Sequence, residues 1–215
     1  MINQRIKDLY YLSAGKLSVL SLWRYKFLPL AIHFQGALTH LCCGTKYIPG
    51  MINVDANPFR KKDMWLDITL GLPFRNNSIQ GIYISHSLEH FDGKMVRRLL
   101  SEFHRVLRPE GGLRIVVPSL EYAIEAYITK KPMRFSDFPE KYQSLGGKFC
   151  NFMLCENQHL MMFDLSLLEE LLTSAGFQGI SLEGSRKSRY FEKNYIPFEP
   201  EDPADSASLY VECHK

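Results

Sequence analysis

Short apolar runs alternate with one strongly amphipathic segment in the first half of the chain. Buried strands are predicted at 37–41, 51–55, 80–85 and 113–117. Apolar residues recur at helical spacing from Met95 to Leu107, which predicts an amphipathic helix that Glu89 and His90 open and that ends near Pro109. Strand, helix and strand in this order build a parallel sheet with helices on its faces, so the sequence predicts an α/β protein.

The second half of the chain repeats this alternation once and then closes the sheet. Residues 165–172 place leucines on one helical face, and Ser166 with Glu169 forms a capping box for that helix. Strand-like runs follow at 179–183 and 208–213, separated by a proline-rich, charged loop. These runs are predicted to be the last two strands of the sheet.

Two segments fall outside the alternation. Residues 1–36 mix apolar side chains with Lys and Arg, which predicts a helical extension or cap; the same pattern also suits an amphipathic helix that touches a membrane surface. Residues 129–159 lack a clean period, and their position just after a strand makes them either a lid over a site or a surface loop. The remaining residues, 37–215, are predicted to form one domain.

Composition and charge narrow the classes of function. The 215 residues are 46% hydrophobic and 13% aromatic, enough for one substantial core. The net charge of +3 is too small to favour nucleic acid as the main partner. The five cysteines contain no CxxC pair, which indicates reduced thiols. With no stretch typical of a signal peptide or a membrane span, the sequence predicts a cytoplasmic protein.

The loop between the first two predicted strands carries the most specific chemistry. Gly44 allows backbone N–H groups to approach a ligand closely, and Asp55 ends the second strand with a carboxylate suited to both hydroxyls of a ribose. Asp55 follows Gly44 by only 11 residues, whereas a dinucleotide-binding fold separates them by about 20 residues and a whole helix. The pattern predicts an adenosine-containing cofactor and a reduced first crossover helix.

Metal and phosphate-loop motifs are missing from the sequence. It contains no HExxH, no CxxC pair and no GxxxxGK[ST]. Cys150, Cys155 and His159 lack a fourth ligand at a suitable spacing. We therefore predict no metal site from the sequence.

Several short motifs follow one another in a fixed order between residues 38 and 118. They are Leu41-Cys42-Cys43-Gly44, Ile48-Pro49-Gly50, Asn53-Val54-Asp55, Asp67, Leu72-Pro73-Phe74, Ser85-His86-Ser87-Leu88-Glu89-His90 and Arg105-Val106-Leu107-Arg108-Pro109-Glu110-Gly111-Gly112. In this order they resemble the class I S-adenosylmethionine-dependent methyltransferases, within them a compact group found among surface-polysaccharide genes. The resemblance is weaker over 159–214. It implies a Rossmann-like sheet, mostly parallel with an antiparallel C-terminal strand.

The resemblance also implies how the glycine loop would hold S-adenosylmethionine. Gly44 and the backbone of Cys42 and Cys43 would face the methionine part of the cofactor. Asp55 would bind the ribose hydroxyls. The chain departs from the family at Cys42, which stands where the first glycine is usual. Because a Cβ narrows the loop there, the sequence leaves catalytic competence open.

The resemblance also implies which residues would lie near the adenine and near the reacting methyl group. Asp67 and Ile68 would lie near the adenine, although Asp67 could equally cap the turn that follows it. His86, at the carboxyl end of its strand, would face the methyl group of the cofactor. It is the first candidate for a general base, and His159, on the predicted lid, is the second.

The sequence thus predicts a methyltransferase that acts on an oxygen, or a nitrogen, of a small molecule or glycan precursor. Two other functions stay open. One is a binding protein that keeps the fold without catalysis, as the departure at Cys42 permits. The other is a nicotinamide-dependent oxidoreductase, which the short interval from Gly44 to Asp55 disfavours. Neither the acceptor nor the oligomeric state follows from the sequence, because one fold serves many chemistries.

Overall fold

A mixed sheet of seven strands forms the centre of the protein. The computed structural model describes residues 13, 17–20, 34–137, 139–201 and 207–215. The strands are β1 Leu38–Leu41, β2 Ile52–Asp55, β3 Met64–Trp65, β4 Ile79–Ser85, β5 Leu107–Pro118, β6 Gln178–Glu183 and β7 Ser208–His214. Their order across the sheet is β3-β2-β1-β4-β5-β7-β6. Most of the predicted extension at 1–36 lies outside the described residues.

The strand directions confirm the predicted α/β sheet. β1 pairs in parallel with β2 and β4, and the parallel pairing continues to β3 on one side and β5 on the other. β7 lies between β5 and β6 and is antiparallel to both. β5 begins at Leu107, earlier than the predicted 113, because its first residues pair with β4 through a register shift, from Leu107 opposite Ile79 to Gly112 opposite Gly81.

The helices that follow β4 are α1 Gly93–Val106, α2 Leu120–Ile128, α3 Leu145–Leu154 and α4 Leu165–Ser174. α1 begins after Asp92, whose side chain accepts from Met95 N, so Glu89 and His90 do not open it; they lie in a preceding 3-10 turn. None of the helices formed by the described residues is long and apolar enough to cross a membrane.

The capping box predicted for α4 is wrong. Asp164 is the N-cap, and its Oδ1 accepts from Leu167 N at 2.8 Å. Ser166 donates its hydroxyl to the same oxygen at 2.9 Å. The carboxylate is the stronger acceptor for the free N–H groups of a first turn, so the helix begins after Asp164.

The two faces of the sheet are covered in different ways. Successive side chains of a strand point to opposite faces, so Ile82 and Ile84 pack with α1 and α4 while Tyr83 faces the other side. Among the described residues, loops cover that second face. Its apolar contacts come from Ile48 and Met51 of the β1–β2 connection and from Phe191 and Ile196 of the β6–β7 connection. Residues 42–51 contain no helix, which confirms the reduced first crossover.

A buried asparagine supports the β1–β2 connection in place of a helix. Asn53 Nδ2 donates to the carbonyl oxygens of Ile48 and Met51 at 2.8 and 2.9 Å. Its Oδ1 accepts from Ile48 N at 2.8 Å and lies 3.3 Å from Nδ1 of the buried His40. These contacts fix the loop that leads from β1 to β2.

The buried His40 makes stability depend on pH. Burial lowers the pKa of His40 from 6.5 to about 4. Between these values the unfolded chain binds more protons than the folded one, so the free energy of unfolding falls as the pH falls, and the loss is complete below about pH 4. Urea unfolding measures the free energy of unfolding at both pH values. Between pH 7 and pH 5 it should fall by about 2 kcal/mol more for wild type than for His40→Gln. Equal losses would contradict the prediction.

Residues 129–159, for which no period was evident, contain α3. This helix packs on α2 through a small cluster formed by Ala123, Ala126, Phe135 and Met153. Gly146 and Gly147 lie in its first turn, and Cys155 ends it in the left-handed conformation. The segment therefore shares a small packed core with α2 beside the carboxyl edge of the sheet.

Candidate active site

A cavity of about 640 Å³ lies at the carboxyl ends of β1, β2 and β4. Ligand sites commonly have volumes of about 300–1,000 Å³, and open parallel sheets bind ligands at this edge. We call it the large cavity; it is lined by Cys42, Gly44, Thr45, Asp55, Ala56, Asn57, Arg60, Leu66, Asp67, Ile68, Ser87, His90, Phe91 and Gln158.

Asp55 joins two loops at the wall of the large cavity. Its Oδ2 accepts from Gly44 N and its Oδ1 from Asn57 N, both at 2.7 Å. Gly44 has φ +53°, a conformation that glycine adopts without the strain of a side chain. The carboxylate thus fixes the glycine loop while it borders the space where a ligand would lie.

Cys42 occupies a backbone conformation that favours glycine. Its φ is +54°, which is uncommon for a residue with a Cβ. Its side chain packs against the main core, and burial raises the pKa of the thiol, so it stays neutral. Cys43 is buried, donates its N–H to Val54 O at 3.1 Å and does not line the large cavity.

Asp67 both caps a turn and borders the large cavity. Its Oδ1 accepts from Thr69 N at 2.9 Å and from Thr69 Oγ1 at 2.8 Å, at the start of the 3-10 helix Ile68–Leu70. Ile68 is buried beside it and also lines the cavity. The capping role considered in the sequence is therefore present in the structure.

A second cavity, of about 240 Å³, borders the first at His90, which lines both. We call it the small cavity. His86 and His159 line it together with Glu89, Asn151 and Phe152 among others. The structure thus brings the two predicted histidines to one cavity, although 73 positions separate them in the sequence.

His86 lines the small cavity and not the large one. Its side chain is 44% exposed, and its Nδ1 lies 3.6 Å from Oε1 of the buried Glu89. Its Nε2 lies 3.1 Å from Ser208 Oγ, at the start of β7.

Backbone carbonyls set the tautomers of His90 and His159. His90 Nδ1 lies 3.0 Å from Gln158 O, and His159 Nδ1 lies 3.0 Å from Met153 O. Because a carbonyl only accepts, each Nδ1 carries a proton, and in the neutral ring Nε2 is then the nitrogen that keeps its lone pair. Burial lowers the pKa of His159, which favours the neutral ring.

Sequence reasoning missed several residues of the large cavity. Leu66 and Phe91 supply apolar walls, and Gln158 comes from the turn after α3. The two apolar residues lie in short connections where no periodic signal exists. Gln158 is brought to the cavity only by the packing of distant segments.

Comparison with known proteins agrees with this geometry. Residues 31–115 match the family described as methyltransferase domain. A SAM-dependent methyltransferase from Archaeoglobus fulgidus has a similar structure, with 16% identity, a TM-score of 0.52 and coverage of 96% of this chain and 99% of that one. A SAM-dependent methyltransferase from Thermotoga maritima is also similar, with 17% identity, a TM-score of 0.51 and coverage of 98% of this chain and 97% of that one. At such identities the likeness shows the fold. No curated protein sequence matches the chain.

Residues 31–115, about two fifths of the chain, match the methyltransferase-domain family, and the chain has the fold of S-adenosylmethionine-dependent methyltransferases. This confirms the resemblance noted in the sequence, and S-adenosylmethionine is the cofactor of the family. The large cavity fits that molecule in three respects. It has a carboxylate at the end of β2, a glycine loop after β1 and apolar walls that include Leu66, Ile68 and Phe91.

Proposed function

We propose that the protein transfers a methyl group from S-adenosylmethionine to an oxygen, or a nitrogen, of a small molecule or glycan precursor. The observation that carries this proposal is the contact between the two cavities at His90, with His86 at the wall of the small one. A cofactor in the large cavity and an acceptor in the small cavity would meet there. Such positioning is the main requirement of a methyl transfer.

The cofactor would use the residues that line the large cavity. Asp55 would accept the ribose hydroxyls with the lone pairs that its bonds to Gly44 N and Asn57 N leave over. Gly44 and the backbone at Cys42 would border the methionine part. Asp67 and the apolar Ile68 would border the adenine.

The acceptor oxygen would be activated by His86. Bound S-adenosylmethionine supplies a methyl group on a sulfonium, and the acceptor lone pair forms the new bond as the carbon–sulfur pair returns to sulfur. A hydroxyl acceptor must also lose its proton, which an imidazole can take. Glu89 Oε1, 3.6 Å from His86 Nδ1, would stabilise the imidazolium that results. His159, on the opposite segment of the small cavity, is the second candidate.

The size of the small cavity and the state of the cysteines support two finer points. A volume of about 240 Å³ suits a small molecule or one end of a larger acceptor.

All five cysteines are free thiols, which suits a reducing compartment such as the cytoplasm. Segment 129–159, which carries α3 and His159, would form the wall or lid that covers the acceptor.

Titration of the purified wild-type protein tests the cofactor assignment. S-adenosylhomocysteine, the product form of the cofactor, should bind with a stoichiometry of one and should be displaced by S-adenosylmethionine. NADH should not compete at similar concentrations. No binding of S-adenosylhomocysteine would contradict the proposal, and tight NADH binding would favour the oxidoreductase instead.

A second experiment tests catalysis itself. The protein is incubated with methyl-labelled S-adenosylmethionine and small-molecule extracts of its host, and products are followed by mass spectrometry. A labelled product that depends on the protein and weakens in His86→Ala is expected. Cofactor binding without any labelled product would favour a binding protein that has kept the fold, for which Cys42 at the usual glycine position is the supporting observation.

A further inference from the structure

Three potential metal ligands converge at the wall of the small cavity. Glu89, His90 and His159 each offer a ligand atom, and these atoms lie within 4.8 Å of one another. The two imidazole rings are 5.2 Å apart, with their planes at 68°. Glu89 and His90 come from the 3-10 turn after β4, whereas His159 comes from the segment after α3.

The hydrogen bonds of both histidines leave the same nitrogen available. Each Nδ1 donates to a backbone carbonyl, of Gln158 for His90 and of Met153 for His159. Metal-binding histidines characteristically donate their other ring N–H to a carbonyl or carboxylate, which fixes the ring and makes the free nitrogen a better ligand. Both rings therefore already have the tautomer and the support that metal binding through Nε2 requires.

Glu89 contributes a second, independent observation. The residue is only 2% exposed, and among the described residues its Oε2 is the buried side-chain atom without a hydrogen-bond partner. A buried carboxylate oxygen without a partner is costly, and it is rare in native proteins. A cation bound between Glu89 and the two histidines would remove this cost.

The backbone holds the three ligands together. Leu160 N and Met161 N both donate to the carbonyl oxygen of Glu89, at 2.7 and 3.2 Å. These bonds join the residues just after His159 to the turn that carries Glu89 and His90. The ligand geometry is therefore set by the fold rather than by flexible side chains alone.

We propose that Glu89, His90 and His159 bind one divalent transition-metal ion through a carboxylate oxygen and two imidazole Nε2 atoms. Two histidines and one carboxylate suit Zn²⁺, Mn²⁺, Fe²⁺ or Co²⁺ better than Mg²⁺, and three protein ligands leave positions open for water or substrate. The ion would border both cavities at His90.

The role of the ion rests on the proposed function. An acceptor oxygen in one of the open positions would be held in place, and its hydroxyl pKa would be lowered by the cation. His159 would then serve as a ligand rather than as a base. The proton of the acceptor would pass to His86, which lines the same cavity and lies 3.6 Å from Glu89 Oε1.

Cobalt titration of tag-free protein, stripped with a chelator, tests the site. Wild type should bind one Co²⁺ per chain at micromolar concentration or below, with visible absorption bands typical of nitrogen and oxygen ligands. Glu89→Gln, His90→Ala and His159→Ala should each weaken binding at least tenfold. His104→Ala is the matched control, because His104 packs against Phe177 away from the cavities, and it should bind as wild type does.

The outcomes separate the metal site from the proposed function. Circular dichroism identifies any variant that fails to fold; His90, which is exposed, provides the variant least affected by packing. Absence of stoichiometric Co²⁺ binding by wild type, or binding that the three variants leave unchanged, overturns the site. S-adenosylhomocysteine binding by the same wild-type preparation is measured in parallel. If the protein binds S-adenosylhomocysteine but no metal, only the metal site is wrong. If it binds metal but no S-adenosylhomocysteine, only the cofactor assignment is overturned.

Discussion

Replacing Arg114 by methionine is expected to destabilise the protein by about 3–5 kcal/mol, since removal of one partner from a buried ion pair leaves charges uncompensated. Arg114 on β5 is fully buried, and its guanidinium donates to both oxygens of Glu199 at 2.7 Å and to Glu212 Oε1 at 2.9 Å. Its remaining donors reach the carbonyl oxygens of Gly184 and Lys187. Without the guanidinium, two buried carboxylates would lose the positive charge that compensates them.

The network fixes the β6–β7 connection, which packs on the second face of the sheet. Glu199 also accepts from Arg186 N at 2.7 Å, and Glu212 accepts from Arg189 N at 2.9 Å. Loosening these contacts would release the β6–β7 connection, whose Phe191 and Ile196 cover the sheet. The destabilised variant should therefore unfold at a lower temperature and at a lower urea concentration than wild type.

Urea and thermal unfolding of Arg114→Met measure this effect against a matched control. Arg97 pairs with Glu170 at 3.7 Å on the surface, with more than half of both side chains exposed, so Arg97→Met should cost less than about 1 kcal/mol. For a chain of this size, the Arg114 variant should melt roughly 10 °C lower than wild type. Similar melting temperatures for the two variants would show that the buried network contributes no more than a surface pair.

The sequence predicts most strands and two helices because their signals are local. The apolar runs of β1, β2 and β4 and the periodicity of α1 depend only on neighbouring residues. β3 is not predicted from the sequence because it has only two residues. α3 escapes because its glycines weaken the helical signal, and its packing on α2 comes from tertiary contacts that a local pattern does not contain.

Some residues of the candidate site can likewise be predicted from local sequence, and others cannot. Gly44 and Asp55 are recognisable together because a short loop joins them, and the structure links them by a hydrogen bond of 2.7 Å. His90 and His159 come together only because of the fold of the segment after α3. Their spacing in the sequence therefore does not predict that they lie close to each other. Cys42 stands between the two cases: the sequence reveals an unusual residue, whereas the structure supplies the positive φ that makes it unusual.

Replacing Asp55 by alanine is expected to weaken S-adenosylhomocysteine binding at least tenfold and up to about a hundredfold, because hydrogen bonds to a charged group contribute roughly 1.5–3 kcal/mol. The variant loses the proposed contact with the ribose. It also loses the bonds that Gly44 N and Asn57 N donate to the carboxylate, so the loops on both sides of the cavity are less well fixed. Calorimetric titration of folded protein gives the affinity directly.

Two further variants distinguish cofactor contact from general stability. Asp55→Asn keeps the shape and one acceptor oxygen, so it should bind more tightly than Asp55→Ala and more weakly than wild type. Asp92→Ala removes the N-cap of α1, outside the large cavity; it should cost about 1 kcal/mol of stability and leave the affinity unchanged. If Asp55→Ala bound the ligand as wild type does, the carboxylate would serve only to hold the loops, and the ribose contact would have to come from another residue of the cavity.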